Sequence, residues 1–211
     1  IRRYCEAKYC KYSGPKIYIT SNEDRVIIKS YDLSKINLNE QNIILFYGKN
    51  EGLKKSSILT LTKNLTEIYN YEEKEILENA VGFLESVLTK SLFEDKKFII
   101  IKRATDKLIK IIEEIDSRKI KDNVFLFSAE NLEKKSKLRS FFEKSKKNIC
   151  VAFYPDNERE LSNLAYSFFK ERKISISPSN INIIIGKCNG DRENLINELN
   201  KIENFSSNGS K

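Results

Sequence analysis

The sequence predicts an α/β fold: a mostly parallel sheet with helices on both faces, followed by a small three-helix bundle. The first observation behind this prediction is that apolar runs alternate with amphipathic helical segments between residues 42 and 154. Apolar runs without polar alternation are typical of parallel strands that are buried on both faces, and strands that alternate with helices indicate a parallel sheet. The second observation is that the pattern after Pro155 contains helices alone.

Five strands are predicted, four from apolar runs and one from an alternating segment. The apolar runs are residues 42–47 (NIILFY), 97–102 (KFIIIK), 124–129 (VFLFSA) and 148–154 (NICVAFY). Residues 66–71 (TEIYNY) alternate in polarity, which favours a short strand at the edge of the sheet.

The spacing of apolar residues predicts helices between these strands. The helices cover residues 52–65, 75–90, 106–115 and 132–146. Asp106 is a residue type preferred at the N-cap, so we expect its side chain to cap the helix that follows it.

Three more helices are predicted after residue 156. The first covers residues 158–173 and carries a continuous apolar face. The second begins at Ser177 and Pro178, a typical N-cap and first helical residue, and Asp191 is expected to cap the third. We therefore expect an α/β domain at residues 26–156 and a helical domain at residues 157–211.

The two ends of the sequence differ from the rest. Residues 1–25 lack sustained periodicity, and they contain either a short strand at residues 16–20 with loops or upstream sequence that is not native to the protein. The second interpretation is favoured. The absence of Met and the Ser-, Asn- and Gly-rich residues 204–211 lead us to expect a fragment of a longer protein.

Composition excludes several classes of catalytic site. The chain has no histidine, so nucleophile systems that pair serine or cysteine with histidine are excluded within it. The four cysteines form no Cys-x-x-Cys pair, and neither a catalytic residue, a metal site nor a cofactor is expected. Cys150 lies in an apolar run and is predicted to be buried. No signal peptide or membrane-spanning run is present, so we expect a cytoplasmic protein without a membrane partner.

The formal net charge of +8 is compatible with a nucleic acid or an acidic protein as partner. The chain is also rich in Lys, Ile and Asn, as an AT-rich genome would produce. The lysines are scattered rather than arranged in a stripe, which favours compositional bias over a binding surface.

A parallel sheet followed by a helical bundle is the layout of AAA+ ATPase modules, in which a phosphate-binding loop G-x-x-x-x-G-K-[ST] joins the first buried strand to its helix. The corresponding segment here runs from Gly48 to Ser56 (GKNEGLKKS). Its second glycine, Gly52, comes one residue early, and Leu53 replaces the lysine that should contact the phosphates. We expect a strand–turn–helix unit with Gly48 at the turn, without ATP hydrolysis.

A second motif, Ser91-Leu92-Phe93, stands between the helix predicted at 75–90 and the strand predicted at 97–102. Leu92 continues the spacing of Leu84 and Leu88, so from the residues alone it fits the core. The polar segment that follows (EDKK) is typical of a surface turn, where a Leu-Phe pair serves as an apolar anchor for a partner's pocket.

From about Val26 the chain resembles the delta subunit family of the bacterial DNA polymerase III clamp loader. The segments that carry this resemblance, in order, are LFYGKNEG, FLESVLTKSLFEDKKFIIIKR, VFLFSAENLEKKSKLRSFF, VAFYPDNERELSNL and GDRENLINELNKIE. The resemblance implies an AAA+-like domain without ATPase activity, a small helical domain and a third, collar-forming domain that this sequence lacks. Residues 1–25 have no counterpart in it.

The resemblance also implies a function without catalysis by the chain itself. Ser91, Leu92 and Phe93 match the element with which delta subunits hold the sliding clamp (beta), so on this basis clamp contact is favoured over the core. The other implied partners are the motor subunits (tau/gamma), delta-prime, and primer–template DNA through the assembled complex. Enzyme status would follow only from membership of the DNA polymerase III holoenzyme, a DNA-directed DNA polymerase. Two alternatives stay open: a degenerate AAA+-related nucleotide-binding protein or ATPase, and a basic nucleic-acid-binding module.

Overall fold

The structure is a computed structural model, and it describes residues 27–29, 33, 36–38, 40–88, 97–118, 120 and 123–208. The predictions made for residues 1–25, including the strand at 16–20, lie outside the described residues.

The sheet is built from six strands within the described ranges. These are β1 (Ile27–Lys29), β2 (Ile43–Gly48), β3 (Ile68–Glu72), β4 (Phe98–Lys102), β5 (Val124–Ala129) and β6 (Ile149–Phe153). Their order is β1-β6-β2-β5-β4-β3, and every neighbouring pair is parallel. The predicted parallel sheet is confirmed, and β3 lies at its edge as expected. Strand β1 was absent from the prediction.

Helices cover both faces of this sheet, as predicted. The helices in the described residues are α1 (Glu51–Thr62), α2 (Glu73–Glu78), α3 (Ala80–Leu88), α4 (Ile109–Ser117), α5 (Lys137–Lys144), α6 (Glu158–Glu171), α7 (Pro178–Lys187) and α8 (Arg192–Asn208). Helix α1 packs on one face through Leu53 and Ile58. Helices α2 to α5 pack on the other, through residues such as Ile112 and Phe142. Cys150 is fully buried on that second face, as predicted, and burial raises the pKa of its thiol to about 12.

The prediction of one continuous helix over residues 75–90 is wrong. The chain forms α2 and α3 with a break at Asn79, because the Asn79 side chain accepts a hydrogen bond from the Gly82 amide at 3.0 Å and so begins a new helix. Helix α2 starts earlier than predicted, since Glu72 and Glu75 form a capping box. The helix predicted at 132–146 is shorter too, because Ser136 caps α5.

Asp106 does not cap the helix that follows it. Thr105 caps a short 3-10 helix at Asp106–Leu108 that leads into α4. The Asp106 carboxylate instead accepts hydrogen bonds at the start of α5, from the Ser136 hydroxyl at 2.6 Å and from the amides of Leu138 and Lys137 at 3.0 and 3.1 Å. The prediction that Asp106 caps its own helix is wrong, and its carboxylate instead supports the start of α5, whose N-cap is Ser136.

Replacing Asp106 by alanine is expected to lower the free energy of unfolding by about 1 kcal/mol at neutral pH. The hydrogen bonds from Ser136, Leu138 and Lys137 hold the pKa of Asp106 below its usual range. The stabilisation is therefore present above about pH 4, the unfolded-state pKa, and is lost as the pH falls through the lower native pKa. Urea unfolding at several pH values should show that the difference in free energy of unfolding between wild type and variant becomes smaller below pH 4. A difference that stays constant with pH, or an equal loss in Glu113→Ala on the exposed face of α4, would contradict this.

Helices α6, α7 and α8 form the helical bundle, which has a hydrophobic core of its own. The core includes Leu161, Phe169, Ile181, Leu195 and Leu199. Both predicted helix starts are confirmed: Ser177 caps α7 with Pro178 in its first turn, and Asp191 accepts a hydrogen bond from the Asn194 amide at 2.9 Å. The division into separate domains at residue 156 stays a prediction, and the separate core is consistent with it.

Candidate functional site

The clamp-contact segment predicted from the sequence, Ser91-Leu92-Phe93, lies outside the described residues. The structure describes its flanks, with α3 ending at Leu88 and β4 beginning at Phe98. Clamp contact therefore stays a prediction.

The turn between β2 and α1 is the second candidate site, and it has the predicted strand–turn–helix shape. Gly48 adopts a φ of +131°, where a side chain is strained, and a Cβ there would collide with the backbone carbonyl of Phe153 on β6. Its amide donates a hydrogen bond to the Glu130 carbonyl at 3.1 Å. Gly48 is therefore required at this turn for steric reasons, whether or not a ligand binds.

Several of the backbone amides that would hold a phosphate at this turn already have protein acceptors. A phosphate-binding loop presents free N–H groups at the start of its helix. Here the Asn50 amide donates to the Phe153 carbonyl at 3.3 Å, and the Leu53 amide donates to the Asn50 side chain at 3.0 Å. Asn50 is thus a conventional N-cap of α1. Its place directly before the helix was a sequence signal that our prediction did not use.

The side chain of Lys54 is engaged with other groups of the chain. It is only 2% exposed, and its ammonium donates to the carbonyl of Ala129, the last residue of β5, at 2.7 Å. It also pairs with Glu51 at 2.6 Å. The lysine next to the expected position is therefore engaged within the fold, and Leu53 packs against the sheet as an apolar residue.

The side chain of Asp156 lies beside the start of α1 and is 3% exposed. One carboxylate oxygen accepts hydrogen bonds from the side-chain amide of Asn50 and from Nε of Arg192, both at 2.7 Å, while the other pairs with a terminal guanidinium nitrogen of Arg192. Burial raises the pKa of Asp156, but the hydrogen bonds from Arg192 and Asn50 outweigh it and hold the pKa below its usual range. A negative charge of the chain itself thus lies near the helix start, which favours anions.

The first turn of α8 packs directly on the first turn of α1. A Cβ on Gly52 would lie 2.9 Å from the backbone nitrogen of Glu193, closer than real contacts allow. At the surface of the same contact, Lys55 and Glu193 form an ion pair at 3.0 Å. Gly52 therefore serves the packing of the bundle on α1.

An open groove of about 770 Å³ lies next to this contact, between α1 and the ends of β3, β4 and β5. Its charged lining residues are Glu51, Lys54, Lys55, Glu72, Lys102, Arg103, Glu130 and Glu193. The four cations are matched by four carboxylates, and Lys54, Lys55 and Arg103 each pair with one of them. A polyanionic ligand such as a triphosphate would have to displace these pairs and lie near uncompensated carboxylates.

The described part of the chain contains no group of three or more Cys, Asp or Glu side chains that could hold a metal ion. In the same residues, none of the helices is long and apolar enough to cross a membrane.

This chain is similar in structure to several solved proteins. No family model and no curated protein matches the sequence. Among solved structures, the Bacillus subtilis DNA clamp loader delta protein is 16% identical with a TM-score of 0.54, over 83% of this chain and 56% of that one. A variant of RuvB from Thermotoga maritima is 15% identical with a TM-score of 0.52, over 83% of this chain and 59% of that one. Domain III of the replication initiation protein DnaA from Thermotoga maritima is 14% identical with a TM-score of 0.48, over 86% and 83% of the two chains.

The first two structures show that this chain has the AAA+-like α/β fold, followed by helices, that the sequence predicts. The chain spans somewhat more than half the length of each.

Proposed function

We propose that this chain is a clamp-loader subunit of the delta kind, which binds a bacterial sliding clamp through Ser91-Leu92-Phe93 and opens it for loading onto primed DNA. Two lines of argument support the proposal. The first is the sequence resemblance described above. The second is the structural likeness to a clamp loader delta protein, which concerns the fold.

The observation that carries the proposal is the turn between β2 and α1. An AAA+ motor needs this turn to hold a nucleotide, whereas here Asn50, Lys54 and Asp156 are all engaged with other groups of the chain. A subunit that keeps the AAA+ fold but does not bind a nucleotide at this turn is better suited to a mechanical role in a replication complex than to a motor role.

The proposed mechanism is mechanical. The Leu-Phe pair buries apolar surface in a pocket of the clamp, and the adjoining helix presses near a clamp subunit interface. Binding shifts the clamp towards its open form only to the extent that the chain binds the open form more tightly. ATP would act on the motor subunits (tau/gamma), which with delta-prime complete the loader, and primer–template DNA would bind the assembled complex in the cytoplasm.

The direct test of this function is a titration of the chain with a purified bacterial sliding clamp. Saturable binding that is lost when Leu92 and Phe93 are changed supports the proposal. The proposal would be rejected if the chain and the clamp did not bind at concentrations well above those that replication proteins reach in a cell. The matched control changes Ile183 and Phe205, which are 58% and 81% exposed on the bundle, to alanine.

The alternative with an observation in its favour is a degenerate nucleotide-binding protein, because Lys54 and Lys55 line the groove beside α1. We expect no saturable binding of Mg²⁺–ATP and no hydrolysis above buffer, since the amides of Asn50 and Leu53 and the ammonium groups of Lys54 and Lys55 are already paired. Titration calorimetry and a phosphate-release assay check this. Hydrolysis that is lost in Lys55→Ala, a change at an exposed position, would favour the alternative.

A basic nucleic-acid-binding module is the third possibility, and only the net charge of +8 favours it. Tight binding of DNA by this chain alone, with a steep dependence on salt, would support it.

A further inference from the structure

The short segment between β6 and α6 carries the buried carboxylate of Asp156 into the contact between α1 and the helical bundle. Its partners belong to different parts of the chain. Asn50 caps α1 on the sheet, and Arg192 is the first residue of α8 in the bundle. The three side chains therefore connect the sheet to the bundle through one charged centre, with Asp156 and Arg192 exposed by only 3% and 15%.

The arrangement has the chemistry of a bound phosphate held between a helix start and an arginine. A helix N-terminus favours a negative charge, and a guanidinium binds carboxylate and phosphate alike through two parallel hydrogen bonds. The Asp156 carboxylate makes both kinds of contact. It accepts a hydrogen bond from Asn50, the capping residue of α1, and it is bonded to two nitrogens of Arg192.

The bundle packs closely on α1 around this centre. Asn50 donates a second hydrogen bond to the carbonyl of Tyr154 at 3.0 Å, which ties the connecting segment to the helix start. The backbone of α8 at Glu193 is so close to Gly52 that even a methyl group would not fit between them.

We propose that Asp156 is an internal substitute for a bound phosphate, which holds the helical bundle in one orientation on the sheet without any nucleotide. The orientation of the bundle on the sheet then does not change with nucleotide binding. The proposal goes beyond clamp binding and does not depend on it, because it concerns the contact of α1 with α8 alone.

The test measures hydrogen–deuterium exchange in the full chain at the starts of α1 and α8. Removing one partner of a buried ion pair leaves the other charge unpaired, so Asp156→Ala should open this contact. Exchange at both helix starts should rise at least about tenfold, while the bundle core around Leu161 and Phe169 keeps its protection. Arg192→Ala should have the same effect, and the double variant should add little to either single change.

Chemical rescue distinguishes an anion site from general damage. Sodium acetate or inorganic phosphate should restore protection at both helix starts in Asp156→Ala, whereas sodium chloride at equal ionic strength should not, and Arg192→Ala should respond to none of them. Glu193→Ala, which removes only the exposed pair with Lys55, is the matched control and should change exchange by less than about twofold.

Two results would overturn the proposal: exchange in Asp156→Ala no faster than in Glu193→Ala, or equal exchange in acetate, phosphate and chloride. If Asp156→Ala does not fold, Asp156→Asn takes its place, because it keeps the shape and removes the charge. Wild-type exchange in Asp156→Asn would then overturn the proposal, and faster exchange at the two helix starts alone would support it. Clamp binding is measured separately, so failure here leaves the proposed function standing.

Discussion

Replacing Leu92 and Phe93 together by alanine is expected to weaken binding to a sliding clamp by about 2–4 kcal/mol, the usual scale for a pair of hot-spot residues. Under the proposed function, the anchor would bury its apolar surface only in the complex, so its truncation would remove that gain from binding alone. If the pair is exposed in the free chain, as this function requires, the free energy of unfolding should stay nearly unchanged, because exposed side chains contribute little to a core. A clamp titration and a urea unfolding curve on the same double variant are the measurements.

The competing interpretation places Leu92 and Phe93 in the core, and it predicts the opposite pattern. Truncation of large buried side chains costs several kcal/mol of stability, and clamp binding would then be lost only through unfolding. An unfolding midpoint that falls sharply in the double variant would contradict our prediction. The Ile183→Ala, Phe205→Ala pair should change neither quantity appreciably, since both side chains are exposed on the bundle.

Replacing Lys54 by alanine is expected to lower the free energy of unfolding by about 3 kcal/mol. The change removes buried methylene groups and leaves the carbonyl of Ala129 without the ammonium that now donates to it. Loss of the pair with Glu51 adds little, because Glu51 is 59% exposed. Thermal and urea unfolding of the variant check this.

Two further variants separate the parts of this effect. Lys54→Met keeps the buried chain and loses only the donor, so about half of the loss is expected. Lys55→Ala, at a side chain that is 70% exposed, should change stability by less than about 0.5 kcal/mol. If Lys54→Ala were as stable as Lys55→Ala but had lost a measurable affinity for nucleotide, Lys54 would be a ligand residue rather than a structural one.

The strands of the sheet centre were predictable because their residues are apolar on both faces. Side chains of runs such as residues 124–129 are buried on both faces of the sheet, so the apolar character of the run alone predicts a buried strand. Strand β1 was missed because three residues are too few to show a pattern, and its pairing with Cys150 and its neighbours comes from a distant part of the chain.

The wrong predictions at Asn79 and Asp106 and the omission of Asp156 have a common cause. A short polar side chain signals a local hydrogen bond, but its spacing in the sequence does not reveal which backbone or side-chain group it will meet. Asn79 interrupts a helix whose apolar spacing continues through it, and Asp106 accepts hydrogen bonds at the start of α5 instead of capping its own helix. The pair of Asp156 with Arg192 joins residues far apart in sequence, so only the fold could reveal it.

The sheet order has a consequence for how the chain acquires its fold during synthesis on the ribosome. Among the described residues, strand β1 hydrogen-bonds to β6 alone, and Ile27 pairs with Cys150, about 120 residues later. In contrast, β3 and β4 pair across a much shorter loop. Of the described strands, the first in the chain must therefore wait for the last, and β6 enters between β1 and β2 only when the other described strands have been made. Until β6 enters, the edge of β2 that pairs with it has no partner among the described strands, and chaperones or neighbouring nascent chains can compete for it.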